Sequence, residues 1–96
     1  MRLVTKRSIE CLFIGKNYSS KNTKVIGDRL YLWDTPIIEV RDDGVYIQTG
    51  GWNTSTTKER LNGLPGVRVY HKKHILHLNG VPWNGNWSKV DTNFFL

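Results

Sequence analysis

Tight-turn sequences between short alternating runs constrain the fold of this 96-residue chain more than any other feature. Three turn sequences stand out, at Gly27-Asp28, Asp42-Asp43-Gly44 and Asn79-Gly80. Glycine, asparagine and aspartate favour the backbone angles that tight hairpin turns require. The runs around them repeat every two residues and predict strands. These strands are expected at residues 9–14, 23–26, 29–34, 36–41, 45–49, 67–72 and 75–78.

The number of strands and the length of the chain together predict the fold class. Seven or so short strands with one short helix indicate an α+β fold. We expect a small, mostly antiparallel sheet or a partly open barrel. Residues 1–96 form one domain in this interpretation, because the chain is short and contains no repeat, linker or low-complexity tract.

Residues 50–63 predict the helix and the loop that leads into it. The segment reads GGWNTSTTKERLNG and combines a glycine pair, a tryptophan and four consecutive hydroxyl side chains. Thr56 and Glu59 have the spacing of a capping box at a helix N-terminus. Gly63 is expected to end the helix as the residue just beyond its cap.

The same segment is a candidate anion site. Exposed amides, the helix dipole and two cations would all favour negative charge at the predicted helix start. The candidate ligand contacts are Trp52, Thr54, Thr56, Thr57, Lys58 and Arg60. The alternative is a structural turn whose hydroxyls satisfy nearby backbone groups.

The charge distribution favours a polyanionic partner. The formal net charge is +6, made of +5 in residues 1–26, −3 in residues 27–51 and +4 in residues 52–96. Basic ends around an acidic middle suggest nucleic acid first and an acidic protein surface second. The alternative is a basic charge that serves only solubility.

Several classes of protein are disfavoured. Cys11 is the single cysteine, so a disulfide framework is excluded, and its apolar neighbours suggest a buried, inert thiol. No run approaches the ~18 apolar residues of a membrane span. A signal peptide is not expected either, since the first apolar run is short and contains Glu10. We expect a protein of the cytoplasm that does not bind a membrane.

Catalysis and cofactor binding find little support in the residues. The acidic side chains lie in turns or at strand ends and do not form a persuasive acid–base pair. Ser55 and Lys58 lie one helical turn apart, but the hydroxyl-rich setting makes that match weak. No glycine precedes Lys58 as a Walker loop requires. We therefore predict no enzyme activity, no catalytic residue and no cofactor.

Three histidines at equal spacing raise the question of a metal. On a continuous strand, His71 and His77 would share one face and His74 would point to the other. They would converge only if the chain turned near Lys72-Lys73, and no cysteine or carboxylate lies beside them. We therefore predict no metal site.

Aromatic residues interleaved with cations form a second candidate surface. Arg68, Tyr70 and Lys72 would lie on one face of a strand. Proteins that hold single-stranded nucleic acid combine stacking rings with a basic groove. The alternative is that the aromatic residues, including four tryptophans, fill the core of a small β domain.

Residues 22–62 resemble a family of small proteins encoded by tailed bacteriophages and prophages. Its recurring core is GGW-x-T-x-T-T-K-x-R-x-N, which residues 50–62 match in register. Upstream, Asn22-Thr23 matches a recurring pair, and residues 32–38 correspond to a strand of the type L-H-x-T-D-I-V. Trp33 and Pro36 replace the usual histidine and aspartate, and Asn53 replaces a common basic residue. The resemblance implies a phage accessory protein that acts inside a bacterial cell.

We therefore predict a non-enzymatic phage accessory protein that binds nucleic acid or a phosphate-bearing ligand in the cytoplasm of the infected host. Two alternatives stay open. One is an inhibitor that binds a host defence or replication protein through a patch of Trp83, Trp87, Phe94 and Phe95. The other is a protein that sequesters a nucleotide signal at the same anion site.

Overall fold

The computed structural model describes residues 2–92, which contain two helices and nine strands. The helices are α1 (Leu3–Ile14) and α2 (Ser55–Leu61). The strands are β1 (Tyr18–Ser20), β2 (Thr23–Ile26), β3 (Arg29–Leu32), β4 (Thr35–Arg41), β5 (Gly44–Ile47), β6 (Val69–Lys72), β7 (Ile75–Leu78), β8 (Val81–Pro82) and β9 (Ser88–Val90).

The larger sheet has six antiparallel strands in the order β1-β2-β3-β4-β5-β9. Consecutive strands form hairpins, and β9 returns from the end of the chain to pair with β5. The predicted turns at Gly27-Asp28 and Asp42-Asp43 are confirmed as hairpin connections. The strand β1 is not among the predicted strands; it lies at the edge of this sheet.

A bulge in β4 explains why two neighbouring residues of this strand are both buried. Leu30 of β3 lies opposite Ile38, whereas the next residue, Tyr31, lies opposite Pro36. Ile37 is therefore the extra residue, and both Ile37 and Ile38 reach the core. The carbonyl of Ile37 accepts a hydrogen bond from the N–H of Gln48 at 3.0 Å.

The smaller sheet has three antiparallel strands in the order β6-β7-β8. Two-residue turns connect them, and both turns have positive φ at both positions. The φ values are 52° and 66° at Lys73-His74 and 50° and 88° at Asn79-Gly80. Positive φ at both central residues is the geometry of a type I′ hairpin. The Asn79-Gly80 turn is confirmed, and the turn at Lys73-His74 separates the two strands.

The prediction of a strand at residues 9–14 is wrong, because this segment forms the second half of α1. The buried stripe of α1 consists of Thr5, Ser8, Ile9 and Leu12, which repeat at the spacing of one helix face. Two of these four residues carry hydroxyl groups, so the apolar residues by themselves do not repeat with the period of a helix. The helix ends at Gly15, whose φ of 76° is left-handed as in many helix caps.

Gly63 follows α2 as expected, but for a different physical reason. It is absent from the residues with positive φ. A Cβ at this position would lie 2.5 Å from Thr5 Cγ2 and 2.6 Å from Ile9 Cδ1. The missing side chain of Gly63 therefore allows α1 to pack against the end of α2.

One apolar core joins the helices to both sheets. Its buried residues are Ile9, Leu12, Val25, Leu30, Leu32, Ile37, Ile38, Val45, Ile47, Leu61, Leu64, Val67, Val69, Leu76 and Val90. The predicted α+β class and antiparallel pairing are confirmed, and the sheets do not close into a barrel within residues 2–92. In the same part of the chain, neither helix has the length and apolarity needed to cross a membrane.

Candidate nucleic-acid interface

The register of the small sheet separates a buried face from a solvent face. Val69 and Leu76 are buried on the first face. Tyr70 lies opposite His77, and Lys72 lies opposite Ile75. Directly paired residues share a face and neighbours along a strand alternate, so these four side chains lie together on the solvent face.

Two aromatic rings stack at the centre of this solvent face. The ring centroids of Tyr70 and His77 are 5.3 Å apart, and the ring planes differ by 7°. The Nδ1 of His77 lies 2.8 Å from the carbonyl oxygen of Ile75. Because a carbonyl can only accept, Nδ1 carries the proton, and this bond fixes the imidazole in its stacked position.

Cations lie on both sides of the ring pair. Lys72 is exposed two residues after Tyr70, and Arg68 is exposed two residues before it. Arg68 precedes β6, but its backbone continues the pairing: its N–H donates to Asn79 Oδ1 at 2.8 Å, and its carbonyl accepts from the N–H of Asn79 at 2.9 Å. Arg68 and Tyr70 also line one shallow pocket. The predicted strip of Arg68, Tyr70 and Lys72 is thus brought together in the structure.

The small sheet contains cations without acidic residues. The sequence from residue 60 to residue 90 contains no aspartate or glutamate. Among residues 2–92, the ion pairs join Lys24 to Asp34, Arg29 and Arg41 to Glu39, and Arg60 to Glu59. No ion pair in this part of the chain therefore neutralises Arg68, Lys72 or Lys73.

A cleft of about 580 Å³ separates α2 from the edge strand β6. Its lining residues are Ser55, Lys58, Glu59, Asn62, Val69, Tyr70 and His71. Lys58 Nζ lies 2.9 Å from His71 Nδ1. An ammonium group has no acceptor, so Lys58 donates this hydrogen bond and Nδ1 of His71 accepts it.

Asn62 holds the two walls of the cleft together. Its Nδ2 donates to the carbonyl of Val69 at 2.9 Å, and its Oδ1 accepts from the N–H of Val69 at 2.6 Å. The side-chain amide thus pairs with the edge of β6 as a neighbouring strand would. No role was predicted for Asn62, although it is the last residue of the recurring motif in residues 50–62 and follows a predicted short helix.

Arg60 is not placed as expected for a ligand contact. Its side chain is only 2% exposed, and its donors are directed at other parts of the protein. Nε donates to Thr23 Oγ1 at 3.0 Å, Nη1 donates to Thr5 Oγ1 at 2.9 Å, and Nη1 also pairs with Glu59. Arg60 is a buried link between α2, α1 and β2, because only its planar fork reaches all three elements.

The predicted capping box is wrong. The cap residue of α2 is Thr54, whose Oγ1 accepts from the N–H of Thr57 at 3.2 Å. Thr57 is buried and Thr56 is half-buried. Because the helix starts two residues earlier than expected, Glu59 lies in its interior. Its carboxylate accepts from Thr5 Oγ1 and from the N–H of Arg2 instead of reaching back to a cap.

The environment of Glu59 lowers its pKa. Burial alone would raise the pKa of this carboxyl, but the hydrogen bonds from Thr5 and Arg2 and the charge of Arg60 outweigh that effect. Glu59 is therefore an engaged anion of the helix packing, although one side of it lines the cleft.

Three of the four tryptophans, Trp52, Trp83 and Trp87, take different positions. Trp52 is 46% exposed, and its Nε1 donates to Thr35 Oγ1 at 3.2 Å, which places the indole beside β4. Trp83 packs on the core with its Nε1 2.9 Å from Ser88 Oγ. Trp87 is half-buried with its ring 5.4 Å from the guanidinium carbon of Arg41.

The alternative of an inhibitor that binds a host protein requires an exposed patch of aromatic side chains. Within residues 2–92, Trp83 and Trp87 do not form such a patch. Both Trp83 and Trp87 are half-buried and already contact other groups. The remaining members of that patch, Phe94 and Phe95, lie outside the described residues.

The histidines are separated by the β6–β7 turn. His71 lies opposite Leu76, whereas His77 lies opposite Tyr70 on the other face, so the expectation that His71 and His77 share a face is wrong. His74 occupies the turn itself. Within residues 2–92, no three histidine, cysteine, aspartate or glutamate side chains are grouped closely enough to hold a metal ion. Cys11 is half-buried on α1.

Comparison with known proteins identifies the family. No curated protein and no solved structure matches the chain. The match to a protein family extends over residues 1–95, which is almost the entire sequence, and the family is described as the Kyanoviridae Gp96 protein. The family name indicates a phage protein and specifies no activity. The chain belongs to the Kyanoviridae Gp96 protein family of bacteriophages.

Proposed function

We propose that this phage protein binds nucleic acid through the three-stranded sheet, without catalysis, in the cytoplasm of the infected bacterial host. The observation that carries the proposal is the set of cations around the stacked rings. Arg68 and Lys72 lie two residues to either side of Tyr70, and Lys73 follows in the turn, on a sheet whose sequence contains no carboxylate.

Charge and aromatic rings favour the same ligand. Phosphate groups are attracted by cations that no nearby carboxylate neutralises, and binding them releases condensed counterions. The half-buried rings of Tyr70 and His77 lie beside these cations and add stacking contacts to bases of any sequence. The proposed contacts are Arg68, Tyr70, Lys72 and Lys58, and they replace the predicted role of Arg60.

The experiment is a salt series with two matched double variants. The protein is titrated into a short fluorescent oligonucleotide at several salt concentrations, and affinity is measured by anisotropy. Arg68→Gln with Lys72→Gln should weaken binding and reduce the slope of log affinity against log salt by roughly 0.7 for each phosphate contact removed from a single strand.

The control removes the same charge from the larger sheet. Lys24→Gln with Arg29→Gln changes the net charge equally, but these cations are already paired with Asp34 and Glu39. This control should keep the wild-type slope. An equal loss of affinity in both double variants would mean that only the net charge of the protein matters, and not the position of the cations. An affinity that does not change with salt would contradict the proposal.

A further inference from the structure

The stacked ring pair leaves one side of Tyr70 available. His77 lies across from Tyr70 on β7, so its ring covers the Tyr70 face that is turned toward β7. β6 is the edge strand of the sheet, and no further strand within residues 2–92 pairs with its other side. The second face of the Tyr70 ring is therefore turned toward α2, where Tyr70 lines the cleft.

The cleft has the size and polar groups of a ligand site. Its volume of about 580 Å³ lies within the range of ordinary small-molecule clefts. Lys58 provides an ammonium group, Ser55 an exposed hydroxyl and His71 an exposed imidazole. The one carboxylate in the lining, that of Glu59, is held by Thr5, Arg2 and Arg60.

We infer that the α2–β6 cleft receives one unpaired nucleobase, which continues the His77–Tyr70 stack while Lys58 contacts its phosphate. This inference rests on the proposed function and specifies its ligand as single-stranded nucleic acid. Each base of a duplex has neighbours on both faces, and extruding it costs stacking and pairing free energy. A single strand offers its bases without that cost, so the cleft favours it over a duplex.

The orientation of the phosphate follows from where the cations lie. Lys58 lies on the α2 wall of the cleft, Lys72 lies on the strand that carries Tyr70, and Arg68 immediately precedes that strand. A strand whose base enters the cleft can therefore run along β6 with phosphates beside these side chains. The single-strand backbone is flexible enough to follow such a path, which a stiff duplex is not.

The test compares a short oligothymidylate, the corresponding oligouridylate and a duplex of the same length. Tyr70→Leu removes the ring but keeps an apolar side chain of similar reach, whereas Tyr70→Phe and Tyr70→Trp keep a stacking surface. The matched control is Tyr31→Leu, because Tyr31 is another half-buried tyrosine beside a lysine, with Lys24 Nζ 5.7 Å from its ring.

Both single strands should bind more tightly than the duplex. Tyr70→Leu should weaken single-strand binding about tenfold and should weaken duplex binding much less, because the paired bases of a duplex cannot enter the cleft. Tyr70→Phe, Tyr70→Trp and Tyr31→Leu should bind as the wild type does. If Tyr70→Leu fails to fold, the folded variants Tyr70→Phe and Tyr70→Trp decide the question, because both retain an aromatic ring. A loss of single-strand affinity in either of them overturns the inference. Wild-type affinity in both, together with a Lys58→Gln variant that weakens binding of the single strand but not of the duplex, supports it.

The two proposals fail in different ways. Equal affinity for duplex and single strands, or wild-type binding by Tyr70→Leu, overturns this inference and leaves the proposed function intact. Absence of binding to all three probes overturns both. A preference for one single strand over the other identifies whether the natural ligand is DNA or RNA and supports the inference in either case.

Discussion

The two sheets of this protein treat their charges in opposite ways. In the six-stranded sheet, Glu39 lies between Arg29 and Arg41, at 2.6 Å and 2.5 Å from their Nε atoms. In the three-stranded sheet, Arg68 and Lys72 have no such partner within residues 2–92. The larger sheet neutralises itself, whereas the smaller one presents its positive charge to solvent.

The difference shows in how individual groups titrate. Hydrogen bonds from Arg41 and then Arg29 hold the pKa of Glu39 below its ordinary value. Asp43 likewise has a lowered pKa, first because the hydroxyl of Tyr46 donates to it. Uncompensated cations on the smaller sheet lower the stability of a compact chain slightly through mutual repulsion. The proposed nucleic-acid ligand would offset this repulsion.

The largest expected effect is that of replacing Arg60, the cation whose side chain is buried and bonded within the protein. Arg60→Leu should destabilise the fold by about 3 kcal/mol, near the lower end for a broken buried pair, because the Glu59 left behind is still 26% exposed. Urea unfolding measures the change. Arg29→Leu, which removes an exposed cation, should shift the midpoint far less. Equal effects would remove the distinction between buried and surface cations.

Gly63→Ala should be the next largest change. The added Cβ would meet Thr5 and Ile9 of α1 and push the two helices apart. We expect a loss of about 1–3 kcal/mol, as for other overpacked sites. Thr5→Ser, which removes the methyl group in contact, should recover part of the loss in the double variant. Thermal unfolding of the three variants provides the measurement, and an unaffected Gly63→Ala would contradict the helix packing.

A pH series sharpens the role assigned to Glu59. Its pKa is lowered in the folded protein, so its stabilising contribution is present above the ordinary pKa of glutamate. That contribution is lost as the pH falls through the folded pKa. The wild type should therefore be more stable than Glu59→Gln near neutrality, and the difference should shrink in acid. Urea unfolding at each pH measures it, and a difference that grows in acid would have the wrong sign.

The smallest expected effect is on the stability of the variant with Arg68→Gln and Lys72→Gln. Both side chains are exposed and lie outside the ion pairs of the described residues. Thermal unfolding should show a midpoint equal to or slightly above that of the wild type, because repulsion decreases. A clearly lower midpoint would show that these cations stabilise the fold, and it would contradict the distinction between the two sheets.

Much of the sheet architecture could be predicted because turn chemistry is local. Gly27-Asp28 and Asn79-Gly80 contain the residues that hairpin turns require, and both turns are observed. The turn at Lys73-His74 lacks this composition, although both residues adopt positive φ. Strands were predicted on both sides of it, at residues 67–72 and 75–78, but no hairpin was predicted between them, so the pairing of Tyr70 with His77 was missed.

The helix α1 and the burial of Arg60 were missed for a common reason. Thr5 and Ser8 occupy half of the buried stripe of α1, and apolar periodicity does not include hydroxyl residues. The same Thr5 and the distant Thr23 accept the donors of Arg60. A charge that is satisfied by residues from other parts of the chain cannot be recognised from its neighbours in sequence.

The most direct test is to map amide chemical-shift changes during a titration with a short single-stranded oligonucleotide. The changes should concentrate on residues 55–58 and 68–78, which line the α2–β6 cleft and form the first two strands of the smaller sheet. The strands β1–β5 should stay nearly unchanged. Changes concentrated on the larger sheet, or no changes at saturating oligonucleotide, would contradict the assignment of nucleic-acid binding to the basic three-stranded sheet.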